Sequence, residues 1–340
     1  AIGALPAGAQ VCALSEAMTR FPERVEAAFG HADSGGSPAA LNAALAADGA
    51  FVHVARGVAV EAPIHLVFVV STPNAACHPR NLIVAEGGAQ VTVVEHYLTQ
   101  FAGDADAASL TNAVTRIDAG DDARVTHLKF QQEAGQAIHL ATIDVAQARG
   151  SVFASHSLSF GARLARNDIV TRFDGEGCET LFNGLYHVDG RRHVDHHTRI
   201  EHKKPRGTSR EFYRGIVDGA ARGVFAGRII VAPGAMRTDA EQRTDNLLLS
   251  AQAEADARPE LEIYADDVKC AHGATVGQID EASLFYLRSR GLDEPHARNL
   301  LTYAFATEAL ARIGLVPLRK RAAAAIRARL PGGALLEELS

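Results

Sequence analysis

The chain of 340 residues has only four cysteines, at positions 12, 77, 178 and 270, and none has a partner at the spacing of a redox pair or a zinc site. That fits a reducing compartment better than a disulfide framework. No apolar run approaches the roughly 18 residues that span a bilayer, and the first residues lack a basic-then-apolar leader, so the expected address is the cytoplasm with no membrane partner. Ala1 stands where a methionine is expected, and part of the native N-terminus is expected to be missing. Basic residues are outnumbered, 34 Lys and Arg against 40 Asp and Glu, and the net charge of -6 argues against a nucleic-acid partner. There is no Gly-x4-Gly-Lys-Ser/Thr phosphate loop and no Gly-x-Ser-x-Gly elbow, which argues against ATP hydrolysis by this chain and against a serine hydrolase. What is present is an ordinary globular composition, 47% hydrophobic and 22% charged, long enough for one elongated or two compact domains.

The pattern divides the chain in three: a helical region over 1–50, a β-rich core over 51–280, and a helical domain over 281–340. In the first, Pro22 starts a helix that Gly30 stops, 31–36 is a loop, and Ser37-Pro38 opens a second helix with Leu41, Ala44 and Leu45 on one face. The middle holds short β-rich segments such as 51–54, 66–70, 91–96, 125–130, 152–160, 169–173, 181–187, 224–231 and 261–264. Turn motifs precede them, among them Glu86-Gly87-Gly88-Ala89, Asp118-Ala119-Gly120, Ala148-Arg149-Gly150, Asp174-Gly175-Glu176-Gly177 and Asp218-Gly219-Ala220. The first four recur about every 25 to 32 residues, in the range of solenoid repeats, each repeat needing its neighbours to bury its apolar face. Periodicity alone fits a β-sandwich as well as a parallel β-helix. Residues 103–109 read as an insertion and 203–209 as a protruding loop. After Asp280 three helices follow, starting at Asp280-Glu281, at Asp293-Glu294-Pro295 and at Pro317. The second carries Leu300, Leu301, Ala304, Phe305 and Ile313 on one face, and the third is rich in Arg and Lys.

Two stretches carry candidate chemistry. In 259–277 (PELEIYADDVKCAHGATVG) a strand alternation breaks into a polar corner where Asp266, Asp267, Lys269, Cys270 and His272 fall within seven residues. A thiol and an imidazole two apart on an extended backbone face the same way and can meet one metal ion or one partner surface. Lys269 favours the thiolate while Asp266 and Asp267 oppose it. A structural zinc site needs four ligands, so the spacing leaves open a ligand pair or an ordinary strand-end cysteine beside a surface histidine. In 187–202 (HVDGRRHVDHHTRIEH) a strand puts His193, Asp195 and His197 on one face, with His196 and Thr198 alternating. This is either a metal-ligand set or a row of mutually hydrogen-bonded side chains on a solenoid face, and closely spaced groups on one strand rarely complete a coordination sphere.

The ordered motifs Thr238-Asp239-Ala240, Asn246-Leu247-Leu248-Leu249-Ser250, 259–277 and 284–291 (LFYLRSRG) resemble the SufB/SufD family, subunits of the SufBCD iron-sulfur cluster assembly complex. Upstream, Val194-Asp195-His196-His197-Thr198, Ile200-Glu201-His202 and Gly215-Ile216-Val217-Asp218-Gly219 resemble it too. The likeness runs from near Tyr186 to Arg290 and more weakly includes Asp48-Gly49, Gly57-Val58 and Pro63-Ile64. Between Asn246 and Pro259 the SufB pattern carries a cysteine that is absent here, and Lys269-Cys270-Ala271-His272 is the SufD arrangement. The departures at Ala235-Met236-Arg237 and Thr244 touch packing more than chemistry.

The resemblance implies a mainly β fold, a right-handed parallel β-helix flanked by helical regions, and a non-catalytic subunit. It implies SufB as partner at the last coils and the SufC ATPase on the C-terminal helices, with a homodimer open to the isolated chain. It also implies no cofactor in the isolated chain, with iron or an iron-sulfur cluster handled in the complex at that contact. In that setting the imidazole of His272 is the better candidate ligand, with Cys270 as its neighbour. The competing classes are a β-helix enzyme acting on polysaccharide and a stand-alone metal protein using 187–202.

Overall fold

The computed structural model describes residues 3–29, 36–101 and 107–331. Most of the loop expected at 31–36 and of the insertion expected at 103–109 lies outside the described residues, as does the stop at Gly30. In chain order the first elements are β1 (Ala9–Ala13), α1 (Leu14–Arg20), α2 (Pro22–Phe29) and α3 (Gly36–Leu45). The coils follow as β2 (Ala50–Val54), β3 (Ile64–Val70), β4 (Ala76–Cys77), β5 (Arg80–Ala85), β6 (Gln90–Thr99), β7 (Ser109–Ala119), β8 (Arg124–Gln132), β9 (Ala137–Gln147) and β10 (Val152–Ser159). They continue as β11 (Leu164–Phe173), β12 (Glu179–Val188), β13 (His193–His202), β14 (Thr208–Val217), β15 (Arg222–Val231), β16 (Asp239–Leu248), β17 (Glu254–Ile263) and β18 (Lys269–Gly277). Three helices close the described chain, α4 (Glu281–Ser289), α5 (Glu294–Leu310) and α6 (Val316–Arg327).

The strands form a parallel β-solenoid of about eight coils with two long sheets. One sheet runs β1-β2-β5-β7-β9-β11-β13-β15-β17 and the other β18-β16-β14-β12-β10-β8-β6-β3. Like residues stack in register: Ile200, Ile229 and Leu261 form one inner row. The inner rows merge into a core of Val52, Ile83, Val93, Ile117, Ile143, Phe153, Phe182, Phe225 and neighbours. No single coil could bury these residues alone, which is why the repeats are stable only as a stack.

One corner is built alike in every coil. Gly57, Gly88, Asp122, Gly150, Gly177, Arg206, Arg237 and Asp267 all have positive φ. The backbone N–H of one donates to a carbonyl of the next coil's corner, as Gly150 to Glu176, Gly177 to Pro205 and Arg206 to Met236. Glycine is the cheap choice there, and Asp122 and Asp267 belong to a residue type that tolerates the left-handed region. The segment expected to protrude at 203–209 is therefore one more of these tight corners: Arg206 holds the left-handed position and Thr208 and Ser209 already belong to β14. The Asp218-Gly219 turn lies on a different corner, where Ala220 N–H donates to Gly190.

The N-terminal region departs from an all-helical reading. Ala9–Ala13 is a strand, antiparallel to β2, that closes one end of the first sheet. Leu14, Ala17, Val25 and Ala28 of α1 and α2 pack on Phe51 and Leu82. At the other end Asp280 and Asp293 cap α4 and α5, each accepting a backbone N–H three residues on. Helices α5 and α6 cover the outer face of the second sheet, where Leu128, Phe130, Leu158, Phe160, Leu185 and Ile216 meet Ala306, Ala309, Leu310 and Ile326. The buried face of α5 is Ala297, Thr302, Ala306, Ala309 and Leu310, whereas Ala304 is exposed. Small residues let the helix lie close enough for Ala309 O to accept from Asn183 at 3.0 Å.

Two inward glycines make room for rings. A Cβ on Gly184 would stand 2.1 Å from the ring of Tyr213, and one on Gly215 would stand 2.3 Å from that of Tyr186. Gly184→Ala is expected to destabilise the chain by about 2–3 kcal/mol or more through overpacking. Adding Tyr213→Leu should recover part of the loss in urea denaturation, and an unchanged Gly184→Ala midpoint would contradict this packing.

Candidate functional site

The last coil ends in the open. β17 and β18 are the terminal strands of the two sheets, and among the described residues no strand lies on their outer edges. β18 pairs with β16 so that Cys270 is in register with Ala240 and His272 with Gln242. Ala240 and Gln242 are fully buried, so Cys270 and His272 continue an inner row, about 6.6 Å apart along the strand. The shared face expected from the sequence is therefore present. His272 is exposed, and Cys270 is half-buried against the inner core. Burial raises the Cys270 thiol above its ordinary value; a backbone hydrogen bond at Ala240 works against this and the Asp239 carboxylate adds to it. At neutral pH it is a thiol until a metal or a cation lowers it. Asp239, in register with Lys269, bears on it, rather than the Asp266 and Asp267 expected from the sequence.

On and next to the terminal strands Ile263 (42% exposed), Tyr264 and Val276 stand in water, as do Phe285 (74%) and Tyr286 on the following helix α4. Among the described residues no group of three or more His, Cys, Asp and Glu could hold a metal ion. His272 and Cys270 supply two donors, a set that needs further ligands from outside the chain to close a metal or cluster site.

The histidine stretch is strand β13, and its two faces differ. Outside, Asp195 lies 2.9 Å from His197 Nε2 and accepts from Arg166 at 2.7 Å, so its oxygens are occupied by an ion-pair network. Inside, His196 is fully buried between Tyr186 and Tyr213. Burial drives its pKa down to about 3, with Lys129 adding to the effect.

The inner space near His196 is polar, which sequence reading missed. Lys129 is buried and donates to Asn167. Burial lowers it to about 8, against the pull of Glu133 and Glu95. Burial alone would raise Glu95, but His127 and hydrogen bonds from Thr115 and Tyr97 hold it at about 2. Glu133, with His139 Nδ1 at 2.7 Å, is likewise held at about 2 despite its burial. Nearer the open end, Glu211 is fully desolvated and pushed up to about 7, and it accepts from Gln242. Glu211, Gln242 and His272 occupy one register position in three successive coils. The available signal was their spacing of about one repeat.

The fold is thus a parallel β-solenoid flanked by helices, and among the described residues its last coil carries an imidazole and a thiol on strands with no further strand beyond them. The family model described as SUF system FeS cluster assembly, SufBD core domain, matches residues 68–305, and the SufBD protein N-terminal region matches residues 2–66. The chain belongs to the SufBD family and is SufD-like. It is 37% identical over 283 residues to the iron-sulfur cluster assembly protein SufD of Escherichia coli, covering 83% of this chain and 63% of that one. An iron-sulfur cluster assembly SufBD family protein of Synechocystis is 38% identical over 287 residues, with the same coverage of 83% and 63%. SufD of Bacillus subtilis is 29% identical over 294 residues, 86% of this chain and 66% of that one. The chain thus spans just under two thirds of the length of these relatives. No helix among the described residues is long and apolar enough to cross a membrane.

The buried histidines fix a pH response. His156, His187 and His202 are held by burial at about 4 and His196 at about 3, so at about pH 5 to 5.5, below the ordinary imidazole value and above these, the unfolded chain binds nearly four more protons at these sites. Glu211, at about 7 when folded, binds one more in the native state down to its ordinary range and offsets one of the four. Stability therefore falls with acidification by about 4 kcal/mol per pH unit in this window. Urea midpoints measured from pH 6.5 to 4.5 should drop accordingly, and His196→Leu should lose about a third of the slope; a flat profile would contradict the burial of neutral imidazoles.

Proposed function

We propose that the chain is a non-catalytic, SufD-type subunit of an iron-sulfur cluster assembly scaffold. Its last coils pair with a SufB-type paralogue, its C-terminal helices dock a SufC-type ATPase, and iron or the nascent cluster is cargo handled where the two solenoids meet. The observation that carries this reading is the uncovered terminal rung, with two unpaired strand edges, an exposed His272, a half-buried Cys270 and a rim of exposed aromatic and aliphatic side chains. Open edges with apolar rims are ordinarily paired or covered, and a second solenoid can continue both sheets. The same rung would serve a homodimer when the paralogue is absent.

Two donors per chain suit a shared cargo site, because each subunit leaves coordination positions for the other. The exposed imidazole of His272 is the readier donor, while Cys270 must first lose its proton. For the ATPase, α5 and α6 offer a groove of about 630 Å³ between Tyr303, Thr307, Leu310, Arg319, Lys320 and Arg327. Four free thiols fit a cytoplasmic subunit.

Co-expression with the two partners tests the assignment. His272→Ala should leave pairing intact but lower cluster formation in the reconstituted complex by roughly tenfold or more, read from visible absorbance and acid-labile sulfide; an unchanged yield would remove His272 from the site. Because α5 and α6 cover an apolar sheet face, deleting them would unfold more than a docking surface. The charge reversal Arg319→Glu with Lys320→Glu is the cleaner probe, and it should abolish ATPase binding while pairing of the solenoids survives. Retained ATPase binding would place the dock elsewhere.

A further inference from the structure

Gln242 lies one coil inside the open end, on the row that His272 continues. The residue is fully buried. Its Nε2 donates to Glu211, while its Oε1 is buried without a hydrogen-bond partner. An unpaired buried acceptor costs about 1–3 kcal/mol, so the position calls for a donor. In a parallel pair the strands lie about 4.8 Å apart and residues in register project to the same face. On β18 the residues flanking this row are Cys270, a weak donor, and Ala274, which has no side-chain donor, so His272 is the strand's strong donor at the position.

We propose that Gln242 is a positioning residue for His272: Gln242 Oε1 accepts one imidazole N–H, and the other ring nitrogen, with its lone pair, is thereby aimed out of the coil end. A hydrogen bond to one ring nitrogen decides which of the two is free to bind a metal. Glu211 fixes the amide that does this. As a carboxylate it can only accept, so it holds Nε2 toward itself and Oε1 toward β18. Burial pushes Glu211 up to about 7, and above that pH the orientation of the amide is settled.

This inference rests on the reading of His272 as the group presented at the open end, and the experiment separates the two. The full chain, labelled with ¹⁵N-histidine, is examined by NMR at pH 8, with the His272 signals identified by their disappearance in His272→Ala. The expected result is a His272 ring held in one neutral tautomer, a return to the mixture typical of a free imidazole in Gln242→Leu, and retention of the single tautomer in Gln242→Glu, which keeps an acceptor. In the reconstituted complex Gln242→Leu should lower cluster formation about 10- to 100-fold, with Gln242→Glu restoring it. A free-imidazole mixture in the wild-type chain overturns the inference without need of any variant, as does an unchanged single tautomer in a folded Gln242→Leu. A tautomer that responds to Gln242 while His272→Ala leaves cluster formation untouched would instead overturn the functional reading of His272 and leave the hydrogen bond standing.

Discussion

The structure depends on the in-register stacking of coils, each of which lends its neighbours the hydrogen-bond partners and the apolar cover that it cannot supply itself. The left-handed corner makes the stacking regular. From Gly57 to Arg237 one residue per coil turns the chain and hands its N–H to the next corner, the last of which is at Asp267. The strands on either side then start in the same phase, so that Ile200 falls on Ile229 and Ile229 on Leu261. An error of one residue at any corner would send a whole inner row outward.

The same stacking tolerates an interior that is polar. Because the backbone is satisfied between coils, the inner rows can carry Lys129, Glu95, Glu133 and His139 provided that these satisfy one another. The ion pairs are closely packed with hydroxyls and amides, the condition under which buried charge is sustained. His196 lies within this space as a neutral ring between two tyrosines. Toward the last coils the network thins to Glu211 and Gln242, and the solvent-exposed His272 stands next in line.

The repeats were legible because their turns are: glycines at Gly88, Gly150 and Gly177 mark the shared corner. Where Asp122, Arg206 or Arg237 takes the same left-handed conformation, no glycine signals it, and the 203–209 segment was read as a protrusion. The phase of β13 was also legible, since Val194 and Ile200 share parity with His196 and Thr198. Polar inner rows on β14 and β16, with Glu211 and Gln242 among them, hid those strands, for in a stack the neighbouring coil, and not side-chain apolarity, supplies the pairing. Of the apolar face expected on the second C-terminal helix, Leu300, Leu301, Phe305 and Ile313 do pack and only Ala304 is exposed, while the closest approach to the sheet is made by small residues such as Ala306 and Ala309 that apolar size does not signal. At the site, the common face of Cys270 and His272 followed from the period of a strand. That Gln242 backs the histidine required the register.

The two ends of the first sheet are not equivalent. At one end β1 runs against the direction of every other strand, and at the other β17 runs with them. A copy added head-to-tail would meet at β1 a strand antiparallel to its own β17, so the parallel register that carries the inner rows from coil to coil would not continue unchanged across that junction. The reversed strand thus makes that end of the sheet different in kind from the β17 end, where the parallel phase of the coils is still on offer.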